Sequence, residues 1–397
     1  MKKIGDSFKG IFGGFIFIII GIILLWWNEG NNVKNIKTTQ EMGKNYIQIG
    51  SETIDNNNEG KLVATNGKLI YEEELKDTVF NVSIIAPYLE RIVEVYQWEE
   101  EEHSDDDGTT YEYKKVWSDE LIDSSHFHKG GYENVTVKPY ENNMVISSDV
   151  KLGAFKLPND MITGLKANKN ITSFDESVIT SLDYKVSSIY ITNSADLNKP
   201  EIGDIRISFV YPDYTEASVI ATQSSSTFSP FVSSSGKTIS RIEDGIHTGE
   251  ELIKNIENEN KLIKWMLRLF GFVAIFAGFS TILKPLSTIT GFVPILGGLV
   301  NSAVGLIAFI LGLIISLIVI AIAWIAFRPI IGISLLIVVG ALIFFLIKKK
   351  NNGQINTSNT NVTNVDAMAQ INTNTQNNNQ ENQTNISNDI QDNNQNQ

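Results

Sequence analysis

The chain has 397 residues, with 45 Asp and Glu against 32 Lys and Arg, and no cysteine. Its net charge of −13 is uneven: residues 28–262 hold 40 acidic and 22 basic residues, a net of −18, whereas the rest hold 5 and 10, a net of +5. So acidic a central region argues against phosphate-backbone recognition, so no nucleic-acid partner is expected, and the lack of thiols excludes disulfides, thiolate nucleophiles and cysteine-based zinc sites.

Residues 11–27 form an apolar run without charge. Lipid offers no partner to an open backbone N–H or C=O, so such a run predicts a membrane-spanning helix. It reaches about 26 Å at 1.5 Å per residue, close to the roughly 27 Å core of a thin bilayer. Lys2, Lys3 and Lys9 resemble the basic start of a signal peptide, but Trp26-Trp27-Asn28-Glu29 is not a small-residue cleavage site. The run is therefore read as a retained anchor with its indoles at the interface. Residues 28–60, rich in Asn, Thr and Gly, read as a linker.

Strand character follows at Val79 to Ile85, Arg91 to Trp98 and Tyr111 to Trp117. The last two flank an acidic tip, Glu99 to Asp107, and predict a long hairpin. Further strands are expected at Met144 to Ser147, Val186 to Thr192, Asp204 to Tyr211 and Ala217 to Gln223. Helical periodicity begins near Thr248, which forms a capping box with Glu251. That helix should enter a second crossing at 266–283, ended by Lys284-Pro285.

Pro294, Gly297 and Gly298 mark 292–302 as an interfacial or re-entrant segment, ahead of a third crossing at 303–326. Arg328-Pro329 separates this from a fourth at 330–347. Lys348, Lys349 and Lys350, with the N-terminal lysines, place both ends on the cytoplasmic side and the 28–262 domain in the lumen. Residues 351–397 contain 17 Asn and 8 Gln and are expected to be disordered. The predicted fold class is a multi-pass α-helical membrane protein, with four crossings and a large β-rich α+β luminal domain.

Few residues suggest chemistry. His126 and His128 would share one face of an extended segment and could bind zinc, but no third ligand stands out. The Asp105-Asp106-Asp107-Gly108 order lacks the alternating spacing of a calcium loop. Gly-x-Ser-x-Gly, His-Glu-x-x-His and phosphate-binding glycine loops are missing, and only His103, His126, His128 and His247 could serve as an imidazole base. No catalytic, cofactor-binding or metal residue is assigned, and no enzyme activity is expected. A luminal enzyme or divalent-ion-binding module using Glu99 to Asp107 with His126 and His128 is the alternative.

Gly10 and Gly14, Ala274 and Gly278, and the series Ala308, Gly312 and Ser316 stand four apart, as helix-packing ridges do. The crossings hold no Asp, Glu or His, which argues against an ion-coupled transporter, and Arg328 at the boundary reads as snorkelling to phosphates.

Trp27-Asn28-Glu29-Gly30, Gly60-Lys61-Leu62-Val63, Tyr96-Gln97-Trp98 and Pro200 to Phe209, then Ser229-Pro230-Phe231, Gly249-Glu250-Glu251, the Trp265 to Leu283 crossing and Phe327-Arg328-Pro329 follow one another in an order that resembles the LUMA or transmembrane protein 43 family. The resemblance implies a four-pass protein of the endoplasmic reticulum and inner nuclear membrane. Such a protein would be a scaffold that self-associates and retains nuclear envelope proteins such as emerin and lamins. The pattern also occurs in bacteria, where a nuclear role cannot apply. Trp98 and Trp117 are expected to meet across the hairpin as folding elements.

Overall fold

Apolar residues on every face of one stretch, followed by a polar stretch that still finds partners, produce a single helix, α1 (Lys2–Asn45), of 44 residues. The computed structural model describes residues 2–104, 109–290 and 297–328, with single positions 333, 334, 337 and 341 beyond. The expected linker is therefore helical up to Asn45. Its Asn, Thr and Gly content is poor in helix propensity, and tertiary packing overrides that preference.

The strands follow: β1 (Ile47–Gln48), β2 (Leu62–Ile70), β3 (Glu74–Asp77), β4 (Val82–Ile85), β5 (Tyr88–Ser104) and β6 (Thr109–Ser118). Then come β7 (Asn143–Ile146), β8 (Lys151–Leu152), β9 (Phe155–Lys156), the short α2 (Asn159–Ile162), β10 (Lys169–Asn170) and α3 (Glu176–Ser181). After β11 (Lys185–Ser187) and β12 (Tyr190–Thr192) lie β13 (Ile205–Tyr211), β14 (Glu216–Ser224), β15 (Thr227–Ser229), β16 (Phe231–Val232), β17 (Thr238–Ile239) and β18 (Arg241–Asp244). Long helices close the order: α4 (Gly249–Thr290) and α5 (Gly297–Phe327).

One sheet runs β1-β2-β8-β9-β15-β14-β18, with β14 also pairing antiparallel to β2 from Glu216↔Lys68 to Thr222↔Leu62. Both faces of its centre are buried, which is why β14 is apolar on both sides at Val219-Ile220-Ala221, with Ser218 buried as well. Ala217, Val219 and Ala221 join Val63, Leu152, Phe155 and Phe228 in one core, while Ile220, Leu62 and Ala64 face Met42 of α1 and Leu252, Ile253 and Ile256 of α4. The second sheet runs β11-β12-β13-β5-β6, with β10 on β13 and β7 on β5. Leu89, Val93 and Val95 of β5 and Ile205, Ile207 and Phe209 of β13 build its core with Phe80. Inside it, Arg91 donates to Asp77 Oδ2 at 2.6 Å, and both side chains are buried.

Two predicted strands need correction. Only Val82–Ile85 of the first is extended, because Asp77 Oδ1 accepts from the Val79 and Phe80 amides and turns the chain there. Val186 to Thr192 is a hairpin of β11 and β12, turned at Ser188 with φ of 58°.

Among the described residues, three helices are long and apolar enough to cross a membrane, at Ile11–Asn45, Gly249–Lys284 and Val304–Phe327. The helix α4 continues through Pro285 to Thr290, past the predicted stop. Residues 297–302 belong to the helix of the third crossing, so they form no separate interfacial piece; 291–296 lie outside the described residues. The fourth expected crossing, apart from four single helical positions, and the 351–397 tail also lie outside them. Near its end α5 is regular, the Arg328 amide donating to Trp324 O at 2.7 Å.

Candidate functional site

The helices α1 and α4 run antiparallel against each other from the apolar spans to the sheet. In the spans, Gly14 meets Gly278 and Gly21 meets Gly271. A Cβ added at Gly14 would lie 2.7 Å from Gly278 O, and one at Gly21 would lie 2.7 Å from Gly271 O. The helices touch backbone to backbone, which only the smallest side chain permits. The glycines recur every seven residues on each helix, so the working seam differs from the four-residue ridges expected, although Gly14 and Gly278 belong to both. Gly312 of α5 rests on Phe276 of α4, and Leu25, Ile275 and Val319 form the cluster shared by the three helices. Ala308 and Ser316 of the same ridge are buried, so that ridge serves packing within the chain.

Where the apolar run ends, the seam becomes polar without opening. Arg268 Nε donates to Glu29 Oε1 at 2.6 Å, with Glu29 only 2 % exposed. Asn28 Nδ2 donates to Lys264 O at 3.1 Å, and Asn35 Nδ2 to Asn260 Oδ1 at 2.8 Å. Further along, the Thr38 hydroxyl lies 2.8 Å from those of Ser233 and Ser235 in the β16–β17 loop, and Glu41 accepts from the Ser234 amide and hydroxyl. These bonds supply partners for the polar residues that made 28–45 resemble a linker. Outward, Trp26, Trp27 and Trp265 are exposed, and the Arg268 guanidinium lies 4.8 Å from the Trp265 ring centre. Exposed indoles at the end of an apolar run are the side chains that a membrane–water interface favours.

At the far end the pair is anchored on the first sheet. The capping box is present: Glu251 Oε2 accepts from the Thr248 amide at 2.8 Å, and the Glu251 amide donates to Thr248 Oγ1 at 3.3 Å. The Thr248 amide, and the Thr248 hydroxyl at 3.0 Å, both donate to Glu251 Oε2 and hold that carboxyl below its usual range. Gly249 comes next, and a Cβ there would strike Tyr46 and Ala64, so the start of α4 sits directly on the end of α1 and on β2.

The β5–β6 ribbon is the second candidate. On one face Tyr96 packs on its cross-strand partner Trp117 at 5.1 Å, and Trp98 pairs with Lys115, whose ammonium lies 4.8 Å from the indole. The two tryptophans are diagonal neighbours instead of directly opposite, since the register sets them two positions apart on the same face. Residues 127–134 cover this face: Tyr132 stacks on Tyr113 at 3.8 Å and His128 on Tyr111 at 4.1 Å. Asn134 clamps the Trp98 backbone, accepting from its amide at 2.7 Å and donating to its carbonyl at 2.8 Å. Beyond Trp117, Arg206 lies between that indole and Tyr190 at 4.6 and 4.9 Å, and donates twice to Glu94 at 2.6 and 2.7 Å.

The opposite face carries charge. Glu101 and Glu112 are direct cross-strand partners, an arrangement that like charges oppose. His103 Nε2 stands 3.9 Å from Glu101 and 3.6 Å from Glu112, while Lys114 bonds Glu101 and lies 3.2 Å from Glu99. The hydrogen bond from Lys114 holds the Glu101 carboxyl below its usual range. The ligand atoms of Glu101, His103 and Glu112 lie within 4.8 Å of one another. Such spacing suits one divalent ion, although all three side chains are at least partly exposed and Lys114 already serves Glu101.

The histidines singled out by sequence are not brought together this way. His126 ends a short helical turn, 3.0 Å from Asp123, while His128 is committed to Tyr111. Residues 105–108 of the acidic tip lie outside the described residues. His247 bonds its own loop through Asp244 O at 2.9 Å. An open polar cleft of about 370 Å³ lies beside Arg241, whose guanidinium is held by Glu243 and Glu259.

Sequence reasoning missed the Glu29–Arg268 pair and the heptad glycines. Opposite charges flanking two neighbouring apolar runs were the available signal, obscured once 28–60 was read as linker.

The family model described as Transmembrane protein 43 matches residues 95–329. The Homo sapiens protein named Transmembrane protein 43 is 28% identical over 296 residues, covering 70% of this chain and 74% of that protein. The Drosophila melanogaster protein named Transmembrane protein 43 homolog is 28% identical over 341 residues, covering 82% of this chain and 90% of that one. No solved structure matches the chain. The family match begins within the aromatic ribbon and runs through the capped helix and the apolar spans to the residue after Arg328. On that ground the chain belongs to the transmembrane protein 43 family.

Proposed function

We propose that the chain is a non-enzymatic scaffold of the endoplasmic reticulum and inner nuclear membrane, organising protein complexes there and helping to maintain the nuclear envelope. It crosses four times, through the three apolar helices and residues 330–347. Its ends are cytoplasmic or nucleoplasmic, and the 28–262 domain is luminal. The partners are further copies of the chain and envelope proteins such as emerin and lamins, as the family resemblance implies.

The observation that carries this reading is the continuous α1/α4 pair. Both helices leave the bilayer without a break, and α1 extends about 24 Å from Glu29 to Asn45 at 1.5 Å per residue. A seam closed by glycines, amides and an ion pair resists bending, so it holds the β-rich domain at a fixed height and angle, as a scaffold requires. The relatives' names denote a membrane protein and no enzyme.

A fluorescent fusion of the full chain should mark the reticulum and nuclear rim, and crosslinking in membranes should give discrete oligomers. A monomer confined to another membrane would overturn the reading. One observation favours a second reading, a divalent-cation-binding module: the Glu101, His103 and Glu112 group. Zinc or calcium raising the melting temperature of the full chain, with the rise lost in His103→Ala, would favour that reading.

A further inference from the structure

The β-rich domain contains three Asn-x-Ser/Thr triplets: Asn81-Val82-Ser83, Asn134-Val135-Thr136 and Asn170-Ile171-Thr172. Such a triplet accepts an oligosaccharide only on the luminal side and only where the asparagine is presented at the surface. The structure separates the three. Asn81 is exposed at the turn between β3 and β4, with φ of 51°, and its Nδ2 makes one long contact of 3.4 Å to Asp175 Oδ2. Asn170 is exposed in β10, which among the described residues pairs with β13 alone. The hydroxyl-bearing residues Ser83 and Thr172 are exposed too.

Asn134 is different. Its Nδ2 donates to both Trp98 O at 2.8 Å and Ile122 O at 3.2 Å, while its Oδ1 accepts from the Trp98 amide. A sugar on Nδ2 would take one of two committed hydrogens and push a bulky group between the ribbon and the segment that covers it.

We propose that Asn81 and Asn170 are N-glycosylation sites and that Asn134 is not. The proposal rests on the luminal reading of the domain. In the reaction, Nδ2 of the asparagine forms a bond to C1 of an oligosaccharide carried on a lipid pyrophosphate. The bond from C1 to the pyrophosphate oxygen breaks, Nδ2 gives up one proton, and the lipid pyrophosphate leaves. Asn81 contacts Asp175, which caps α3 and follows Asn170 by five residues in the chain.

The chain also supplies its own control for orientation. The tail holds four more triplets, beginning at Asn356, Asn361, Asn382 and Asn385, which the four-crossing reading keeps in the cytosol. The test is expression of the full chain in a eukaryotic cell, glycosidase digestion of denatured membranes, and protease protection on the same sealed vesicles. The expected result is a mobility shift of two glycans. N81Q and N170Q each remove one, Ser83→Ala and Thr172→Ala reproduce these losses while keeping the asparagines, and N134Q changes nothing. Because the gel reads denatured chains, a variant that folds poorly still reports its glycans. A domain protected from protease but carrying no glycan overturns the proposal and leaves the luminal reading standing. A glycan lost on N134Q overturns the exclusion of Asn134. A digested domain, with glycans on tail asparagines, overturns the proposal and the orientation together.

Discussion

Gly21→Ala isolates the backbone contact on which the membrane seam depends. The added methyl would lie 2.6 Å from Ile275 Cγ1, 2.7 Å from Gly271 O and 3.1 Å from Ile275 N. Carbon contacts are optimal at about 3.5–4.0 Å. Ile275 is fully buried with Leu25 and Val319, and the carbonyl belongs to the opposing backbone, so neither can step aside. The helices must part by roughly 1 Å, a gap at which a quarter to a half of each dispersion contact is lost. Overpacking of this kind costs about 1–3 kcal/mol. Gly13 provides the control, since nothing lies within 4 Å of a Cβ placed there. In Gly13→Ala the helix propensity of alanine, worth up to about 1 kcal/mol, acts unopposed. Equilibrium denaturation in mixed detergent micelles should therefore move the two variants in opposite directions. The chain has no cysteine, so an Asn35→Cys/Asn260→Cys pair can report seam closure by crosslinking, which Gly21→Ala should slow. Equal stability and equal crosslinking for Gly21→Ala and Gly13→Ala would refute the packed seam.

Arg268→Met removes the guanidinium from which buried Glu29 accepts, and should cost about 3–5 kcal/mol in the same titration. Adding Glu29→Gln should restore part of that loss, and a double variant no better than the single would count against the pair. Thr248→Ala deletes the cap of α4 and should cost about 1 kcal/mol, seen as faster hydrogen exchange of the Glu251 amide; unchanged exchange would show that the cap is not needed. Burial, with Tyr140 beside it, pushes the Tyr184 phenol up to about 12 from 10.0. Folding favours the neutral phenol, so its contribution is complete below pH 10, declines as the unfolded chain ionises, and is gone above pH 12. Tyr184→Phe should flatten stability across that window, and phenolate absorbance showing ordinary titration of Tyr184 would contradict the shift.

The first three apolar spans and the hairpin were legible because each depends on a local pattern: charge-free length for the helices, alternation around an acidic turn for β5 and β6. The capping box at Thr248 and Glu251 was legible for the same reason. Residues 28–45 were not. Asn35 and Thr38 look like linker residues until Asn260 of α4 and Ser233 of the β16–β17 loop, about two hundred positions away, supply their partners. The β11–β12 turn was hidden because Ser188 takes a left-handed conformation that usually announces itself with glycine or asparagine. The Glu101, His103 and Glu112 group needed the ribbon register, which composition does not encode, and His126 and His128 drew attention only through proximity in sequence.

The α1/α4 pair is proposed to carry the acidic, β-rich domain into the lumen. Protease added to sealed microsomes holding the full chain, tagged at its N-terminus, tests it most directly. The account predicts loss of the tag and survival of a fragment containing residues 28–262. Digestion of that fragment while the tag survives would contradict it.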